Sequence, residues 1–169
     1  GLRSSLVFMK RPGIEAEFVN LSAIFDTATM ADSGNFAIVQ TITTPLGSRP
    51  GLWILDLDSR TAIPMAIAEE GCYSASLSTD GSKAVFLSGA NWLTTNVSHT
   101  PQAFMMDLAT GALTQLTQGV NPAIEALMTG DGSSTFVRFD DRAIARVDNL
   151  TGERTDVTPA APEQNMVTG

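Results

Sequence analysis

Aspartates recur along this 169-residue chain, and carboxylates are the side chains that bind metal ions or transfer protons in many active sites. Five of them lie near the ends of short apolar runs: Asp56, Asp80, Asp107, Asp131 and Asp148. Their neighbours are mainly Gly, Ser and Thr, and an Asp in such a setting accepts hydrogen bonds from its own turn backbone. Their recurrence at equivalent places therefore predicts turn-forming carboxylates and not a metal or acid–base site.

Two acidic pairs come closer to a functional pattern. Asp56 and Asp58 resemble the start of a calcium loop, but the later oxygen ligands and the glycine of an EF-hand are missing. Asp140 and Asp141 are adjacent, and adjacent side chains of an extended chain point to opposite sides, so they do not form the facing pair that glycoside hydrolysis needs. We expect a turn at the first pair and an exposed hairpin tip at the second.

The chain has one histidine, His99, and one cysteine, Cys72. A lone cysteine excludes an internal disulfide and a multi-cysteine zinc site, and we expect Cys72 to be a small buried residue. Serine and cysteine hydrolases need an imidazole beside the nucleophile, and the chain has no Gly-x-Ser-x-Gly sequence. The sequence therefore predicts no catalytic residue, no cofactor and no metal site within this chain.

The elements that position these residues repeat along the chain. Three segments read as apolar residues, a polar turn and apolar residues again, with turn aspartates Asp32, Asp80 and Asp131. Each is followed by a second short turn, at Ser59-Arg60, Thr110-Gly111 and Thr151-Gly152. Glycine supplies the positive φ that such turns require. Two hairpins in each unit predict four short strands, and units of about 40–50 residues are typical of propeller blades.

A single sheet of four short strands cannot bury both of its faces, whereas radially stacked copies cover one another. The sequence therefore predicts an all-β fold, a partial β-propeller of four-stranded antiparallel blades stacked radially, with another all-β repeat as the alternative. The predicted division is a partial blade at 1–20, blades at 21–70, 71–119 and 120–160, and a stub of the next blade at 161–169. Closed propellers have about 4–8 blades, so we expect a segment of a larger propeller or, alternatively, self-association that closes the ring.

The second unit carries the most regular motif. In order it contains Thr79-Asp80-Gly81, the apolar run 84–88 ending in Ser, Asp107-Leu108, Thr110-Gly111 and Leu116-Thr117. This succession resembles the WD-like repeat of TolB-type propellers, and the other two units match it in part. The resemblance implies the fold more than a function. Propellers of this family serve as periplasmic or extracellular interaction domains, as gating domains ahead of prolyl-oligopeptidase-like hydrolases, and in some members as polysaccharide lyases.

The loops between second and third strands differ in length from unit to unit. They are long at 41–50 and 89–101, and short at Asp140-Asp141. Loops on a rigid scaffold commonly carry recognition, and an exposed Trp is a favoured contact residue. The predicted binding-face residues are Leu46, Arg49, Trp92, Leu93 and His99. The alternative for Trp92 is a structural role, in which it folds back as a cap over its own blade.

Composition narrows the range of partners. The formal charge is -8, with 18 acidic and 10 scattered basic residues, which argues against binding of nucleic acid. No apolar stretch approaches the roughly 20 residues of a membrane helix. Three Asn-x-Ser/Thr sequences, at Asn20, Asn96 and Asn149, are expected to be coincidental in a chain this rich in Ser and Thr.

The sequence thus predicts a non-catalytic propeller segment that serves as a scaffold for a protein, small-molecule or glycan partner. The alternative is the propeller domain of a larger prolyl-oligopeptidase-like hydrolase, or of a lyase, with its catalytic residues outside this chain. The remaining blades of a longer chain, or a second copy, are expected neighbours. A periplasmic or extracellular location is implied by the resemblance alone.

Overall fold

A computed structural model describes residues 4–8, 17–21, 25–34, 36–41, 51–56, 58–59, 61–66 and 71–158. Within these ranges all regular secondary structure is β-strand, arranged as one two-stranded sheet and three four-stranded sheets. Every pairing is antiparallel, and strands within a sheet lie in chain order. The prediction of an all-β chain of four-stranded antiparallel blades is confirmed. The predicted stub at 161–169 lies outside the described residues.

The strands are grouped as the two-turn repeat indicates. The two-stranded sheet contains β1 (Ser4–Phe8) and β2 (Glu17–Leu21). Blade 1 contains β3 (Phe25–Met30), β4 (Phe36–Thr41), β5 (Gly51–Asp56) and β6 (Thr61–Ala66). Blade 2 contains β7 (Cys72–Leu77), β8 (Lys83–Ser88), β9 (Gln102–Asp107) and β10 (Leu113–Gln115). Blade 3 contains β11 (Ala123–Met128), β12 (Ser134–Phe139), β13 (Ile144–Asp148) and β14 (Arg154–Thr158).

Two apolar layers hold the three blades together. Between blades 1 and 2, one layer joins Ile38, Leu52, Cys72, Phe86 and Phe104, all buried. The buried position predicted for Cys72 is confirmed. Between blades 2 and 3, the other layer contains Val85, Leu87, Met105, Ala126, Val137 and Val147. Burial of such side chains contributes about 1.5–3 kcal/mol each, so these layers are the main source of stability.

The second strand has a different pattern of apolar residues in blades 2 and 3, because it is covered on both faces in blade 2 and on one face in blade 3. The second strand of blade 2, β8, is buried along both faces and has an almost continuous apolar sequence. The second strand of blade 3, β12, alternates between buried and exposed side chains. A strand covered on both sides needs apolar residues throughout, whereas a half-covered strand needs them at every other position. One face of blade 3 is therefore open to solvent among the described residues.

The first turn of each blade follows one pattern. Gly34, Gly81 and Gly132 have φ of 74°, 73° and 68°, and each donates its N–H to the carbonyl three residues earlier. The register corrects the sequence analysis by one position. Ser33, and not Asp32, is equivalent to Asp80 and Asp131, because the residue directly before the positive-φ glycine defines the turn.

These first turns also join neighbouring blades through the backbone. The N–H of Ser33 donates to the carbonyl of Thr79 at 3.0 Å, and the N–H of Thr79 donates to the carbonyl of Gly130 at 2.7 Å. The side chain of Lys83 adds a longer contact to the carbonyl of Gly132, at 3.4 Å. The turns therefore form a chain of contacts from blade 1 to blade 3.

Candidate functional site

The recurring aspartates of the first turns accept hydrogen bonds from residues of their own turns. Asp80 Oδ1 accepts hydrogen bonds from the Ser78 hydroxyl at 2.7 Å and from the N–H and hydroxyl of Ser82 at 2.9 Å each. Asp131 accepts the same set from Thr129 and Ser133, at 2.6–3.0 Å. The Ser82 N–H, followed by the two hydroxyls, lowers the pKa of Asp80 to about 2. The Thr129 hydroxyl is the largest cause for Asp131, whose pKa is also lowered to about 2.

The aspartates of the second turns are equally engaged. Asp107 Oδ1 accepts hydrogen bonds from the Thr110 N–H and hydroxyl, both at 2.8 Å, and Asp148 makes the corresponding bonds to Thr151 at 2.9 and 3.0 Å. Asp56 accepts the Ser59 N–H at 3.2 Å. Their pKa values are lowered by these bonds, chiefly the hydroxyl bond at Asp107 and the backbone bond at Asp148. The turn-forming role predicted for these carboxylates is confirmed, and no trio of metal-ligating side chains occurs in the described part of the chain.

The acidic pair of blade 3 lies at a hairpin tip, as predicted. Asp140 is exposed, and Asp141 Oδ1 accepts the Ala143 N–H at 2.9 Å, which is the main cause of the lowered pKa of Asp141. Arg142 follows with a φ of 69°, closing the turn. The pair therefore shapes a tight turn.

The long loop 89–101 of blade 2 is built around one buried amide. Asn96 Nδ2 donates to the carbonyls of Gly89 at 3.0 Å, Ala90 at 3.3 Å and Thr100 at 3.0 Å. Its own N–H donates to Asn91 Oδ1 at 2.8 Å. The side chain thus ties both ends of the loop to its middle. Because buried carbonyls left without donors are costly, these bonds fix one loop conformation.

The structure places three of the predicted binding-face residues on this loop. Trp92 contacts Phe104 and Phe86 edge-on, with ring centroids 5.3 and 6.0 Å apart, and still exposes 37% of its surface. Leu93 and His99 are exposed, and His99 has a φ of 52°. Trp92 therefore packs on its blade and presents an edge to solvent. Leu46 and Arg49 lie outside the described residues.

Two exposed valines lie on the same loop and on the connection that it contacts, and the sequence analysis missed both. Val97 on the loop is 78% exposed, and Val120 on the connection from blade 2 to blade 3 is 84% exposed. The Ser98 hydroxyl donates to the Gly119 carbonyl at 3.3 Å, so the neighbours of the two valines are in contact. The sequence feature that could have identified them is an apolar, β-branched residue within an otherwise polar loop or connection. We call Trp92, Leu93, Val97 and Val120 the loop surface.

A buried polar network holds the connection beneath the loop surface. Gln102 Nε2 donates to the carbonyls of Gly119 at 3.1 Å and Asn121 at 3.3 Å, while its Oε1 accepts the Thr117 hydroxyl at 2.7 Å. The Thr117 hydroxyl oxygen in turn accepts the Ala103 N–H at 2.9 Å. Val120 is therefore carried by a fixed backbone.

Two of the three Asn-x-Ser/Thr sequences can be assessed in the structure. The Asn96 amide is buried in the loop, and the buried Asn149 amide donates to the Gly132 carbonyl at 3.1 Å while its oxygen accepts the Thr135 hydroxyl. The side chain of Asn20 lies outside the described part of the structure. The folded state thus uses Asn96 and Asn149 for packing, as the coincidental interpretation implies.

A polar cavity of about 100 Å³ lies at the hairpin of the third and fourth strands of blade 3, lined by Arg146, Asp148, Glu153 and Thr155. The Arg146 guanidinium donates to the Ser134 hydroxyl at 2.8 and 3.0 Å, and Asp148 is held in its turn. Charges of both signs line the cavity, and the side chains of Arg146 and Asp148 already make hydrogen bonds within the protein. The cavity therefore has no feature that selects a ligand.

Comparison with known proteins supports the fold. The chain matches TolB from Acinetobacter baumannii with a TM-score of 0.64 at 20% identity, over 92% of this chain and 37% of that one. It matches oligogalacturonate lyase from Vibrio parahaemolyticus with a TM-score of 0.61 at 14% identity, over 86% and 44%. It matches the Swd1 β-propeller domain from Myceliophteria thermophila with a TM-score of 0.59 at 14% identity, over 86% and 42%.

The chain thus spans less than half the length of each of these three structures. No family model and no curated protein matches its sequence. The described residues contain no helix long and apolar enough to cross a membrane. The sheet order, the recurring turns and these structural neighbours together give this chain the fold of a partial β-propeller like those of TolB and WD40 proteins.

Proposed function

We propose that this chain is a non-catalytic propeller segment that binds a protein partner through the loop surface. The observation that carries the proposal is the pair Val97 and Val120, which are largely exposed on backbones fixed by buried amides. Apolar side chains at such exposure lose solvent contact on binding, and a fixed backbone reduces the entropy cost of association.

The shape of the loop surface favours a protein over a small molecule. Small-molecule sites are concave and bury most of the ligand, whereas Val97 and Val120 project from the loop and from the connection. Trp92 adds an aromatic edge supported by Phe86 and Phe104, and aromatic side chains in a packed setting often dominate interface energy. The expected partner therefore presents an apolar patch with a polar rim.

Photo-crosslinking tests the proposal. A benzophenone amino acid is placed at Val97 or Val120 in the protein expressed in its native host, and cross-linked partners are identified by mass spectrometry. The matched control is Leu150, which is 93% exposed on the turn between the third and fourth strands of blade 3, at the opposite end of the strands. We expect a shared cross-linked protein at 97 and 120 that is absent at 150.

Affinity for the identified protein provides the quantitative test. Val97→Asp and Val120→Asp should each weaken binding about tenfold or more, since losing about 1.4 kcal/mol corresponds to tenfold. Leu150→Asp should leave the affinity unchanged. Equal cross-linking at all three positions, or unchanged affinity in the two valine variants, would contradict the loop surface as the binding site.

The second candidate is a propeller domain that accompanies a hydrolase or lyase, and the similarity to oligogalacturonate lyase favours it. Its test is an assay of the natural full-length protein on oligogalacturonate, following the double bond that a lyase creates. Turnover that survives substitution of the loop surface would support the enzyme and remove the scaffold as the main role.

The location is part of the same proposal. A periplasmic or extracellular site is proposed on the resemblance to TolB-type repeats, and fractionation of cells with an antibody to the natural protein tests it. Recovery in the cytoplasmic fraction alone would contradict it.

A further inference from the structure

Charge is distributed unevenly along the chain. Charged residues make up 17% of the sequence, yet the segment 84–124 contains a single one, Asp107. Asp107 ends the six-residue strand β9, whereas the loop 89–101 lies at the beginning of that strand. Six strand residues span about 20 Å, more than twice the Debye length of about 8 Å at physiological ionic strength. The loop surface therefore lies in a region of blade 2 without nearby charges of its own.

The hairpin tip of blade 3 borders this uncharged region. The Asp140 N–H donates to the Pro122 carbonyl at 3.0 Å, so the tip contacts the connection that carries Val120. The tip contains Asp140 and Asp141 followed by Arg142, and Asp140 is exposed. Both signs of charge are thus present beyond the connection, which makes the tip a charged border of the loop surface.

The polar side chains of the region are already engaged within the protein. The Thr95 hydroxyl donates to Gln115 Oε1, and Gln115 Nε2 donates to the Thr117 carbonyl at 2.7 Å. The amides of Asn96 and Gln102 donate to loop and connection carbonyls. A small polar ligand such as a sugar is oriented by donors and acceptors that the site leaves available. The loop surface offers mainly its apolar side chains instead.

These apolar side chains cross the end of blade 2. Trp92 packs on Phe86 and Phe104, which belong to the layer between blades 1 and 2. Val120 lies on the connection that leads to blade 3. Because packed sheets lie about 10 Å apart, a partner that contacts both side chains spans about the width of one blade. An elongated segment fits this arrangement.

We propose that the partner contacts the loop surface through an elongated apolar segment that has no charged side chain at the contact. This inference rests on the proposed function and adds the chemistry of the partner. A charged side chain facing the loop 89–101 would lose hydration without gaining a counter-ion, which is unfavourable. Burial of apolar surface therefore drives the association, and the affinity depends little on salt.

A random peptide library displayed on phage is the probe, because it presents all side chains. Peptides of about 12 residues reach about 18 Å as a helix, which exceeds the width of a blade. They are selected on the full 169-residue chain and counter-selected on its Val97→Asp variant. We expect the retained peptides to be rich in apolar and aromatic residues and poor in Asp, Glu, Lys and Arg. Their affinity should change less than about twofold between about 50 and 500 mM NaCl.

Substitutions of opposite sign at one position test the same inference. Gln118 is exposed and lies two residues before Val120. Gln118→Glu and Gln118→Lys should weaken binding of the selected peptides to a similar degree, about threefold, because neither charge meets a counter-ion. The matched pair is Ala109→Glu and Ala109→Lys, on an exposed turn at the opposite end of the same blade. This pair should leave the affinity unchanged.

The outcomes separate this inference from the proposed function. Peptides with a recurring Lys, Arg, Asp or Glu, or Gln118 variants that change affinity in opposite directions, would overturn the uncharged contact. Loss of binding in Val120→Asp would then still support the loop surface, whereas unchanged binding in Val120→Asp would contradict the proposed function itself. A selection without any Val97-dependent peptide would also overturn the inference. So would sedimentation of the chain with phosphatidylcholine vesicles that Val97→Asp abolishes, because it would assign the surface to a lipid bilayer.

Discussion

The two kinds of turn in each blade are alike in sequence but differ in what surrounds them. The inner turns, around Gly34, Gly81 and Gly132, join the first two strands, and the outer turns, around Gly111 and Gly152, join the last two. Every one of these glycines has a φ between 68° and 75°. A methyl group on Gly81 would lie 2.8 Å from Phe36 Cδ2 of blade 1, and one on Gly132 would lie 3.3 Å from Lys83 Cδ of blade 2. Nothing lies within 4 Å at Gly111, at Gly152 or at the inner Gly34 of blade 1.

Two different requirements can therefore select glycine at these turns, and the sequence motif alone does not distinguish them. The positive φ is a local requirement, and it applies to inner and outer turns alike. Close approach of a neighbouring blade is a tertiary requirement, and it applies to the inner turns at Gly81 and Gly132, between which Thr79 donates its N–H to the Gly130 carbonyl. The inner turns at Gly81 and Gly132 should therefore tolerate substitution less well than outer turns of the same conformation.

The largest expected effect is at Gly81. Gly81→Ala combines the cost of a non-glycine residue at positive φ, about 1–2 kcal/mol, with overpacking against Phe36, about 1–3 kcal/mol. We expect the free energy of unfolding to fall by about 2–5 kcal/mol in urea titrations. Gly111→Ala has the same φ without the contact and should lose only about 1–2 kcal/mol. Equal losses would show that packing between the blades does not constrain the inner turn.

The turns also show how far the sequence predicts the fold. Strands, hairpins and their order follow from local patterns, since Asp, Gly and alternating apolar residues act over a few positions. The register of blade 1 was misplaced by one residue, because Asp32 and Ser33 are both good turn residues. The left-handed conformation of Gly34 decides between them, and in this unit the Asp-Gly pair that marks the others is absent.

The exposure of some candidate residues followed from the sequence, while their role in binding stays a prediction. Loop length alone indicated 89–101, and Trp92, Leu93 and His99 lie there with exposed surface. Val97 and Val120 could not be found in this way, because their exposure depends on the conformation that Asn96 and Gln102 impose. Both polar side chains are buried, and a local pattern gives no indication that a loop Asn will be buried.

An intermediate effect is expected where two inner turns meet. A methyl group on Gly130 would lie 2.6 Å from Thr79 Oγ1, which is the end of a movable side chain. We expect Gly130→Ala to lower the free energy of unfolding by about 1 kcal/mol, near the low end for overpacking. In a Thr79→Ala background the same substitution should cost less than about 0.5 kcal/mol, because the clashing oxygen is gone. A double-mutant cycle from urea titrations measures the coupling, and additive effects would contradict the contact.

The smallest expected effect is a loss of stability at low pH, and its size should differ between the carboxylates of the inner and outer turns. Asp80 and Asp131 each accept two hydroxyls and one N–H, and their pKa values are lowered to about 2. Asp107 and Asp148 each accept one hydroxyl and two N–H groups, and their pKa values are lowered as well. An unfolded Asp titrates near about 3.9, so the folded state binds fewer protons between these values. The stability that Asp80 and Asp131 confer is therefore complete above about pH 5 and is lost as the pH falls from about 4 towards about 2. The contribution of Asp107 and Asp148 has the same sign and is likewise lost in acid.

Asparagine at these positions keeps an oxygen acceptor but cannot take up the proton. The Asp80→Asn/Asp131→Asn variant should therefore show a smaller fall in urea midpoint between about pH 5 and about pH 2.5 than the unaltered chain. The matched Asp107→Asn/Asp148→Asn variant should flatten the same profile less, because hydroxyl donors are fewer at the outer turns. A larger flattening in the outer-turn variant would mean that the hydroxyl donors are not what separates the two sets of carboxylates, and the inner turns would then be distinguished by their packing alone.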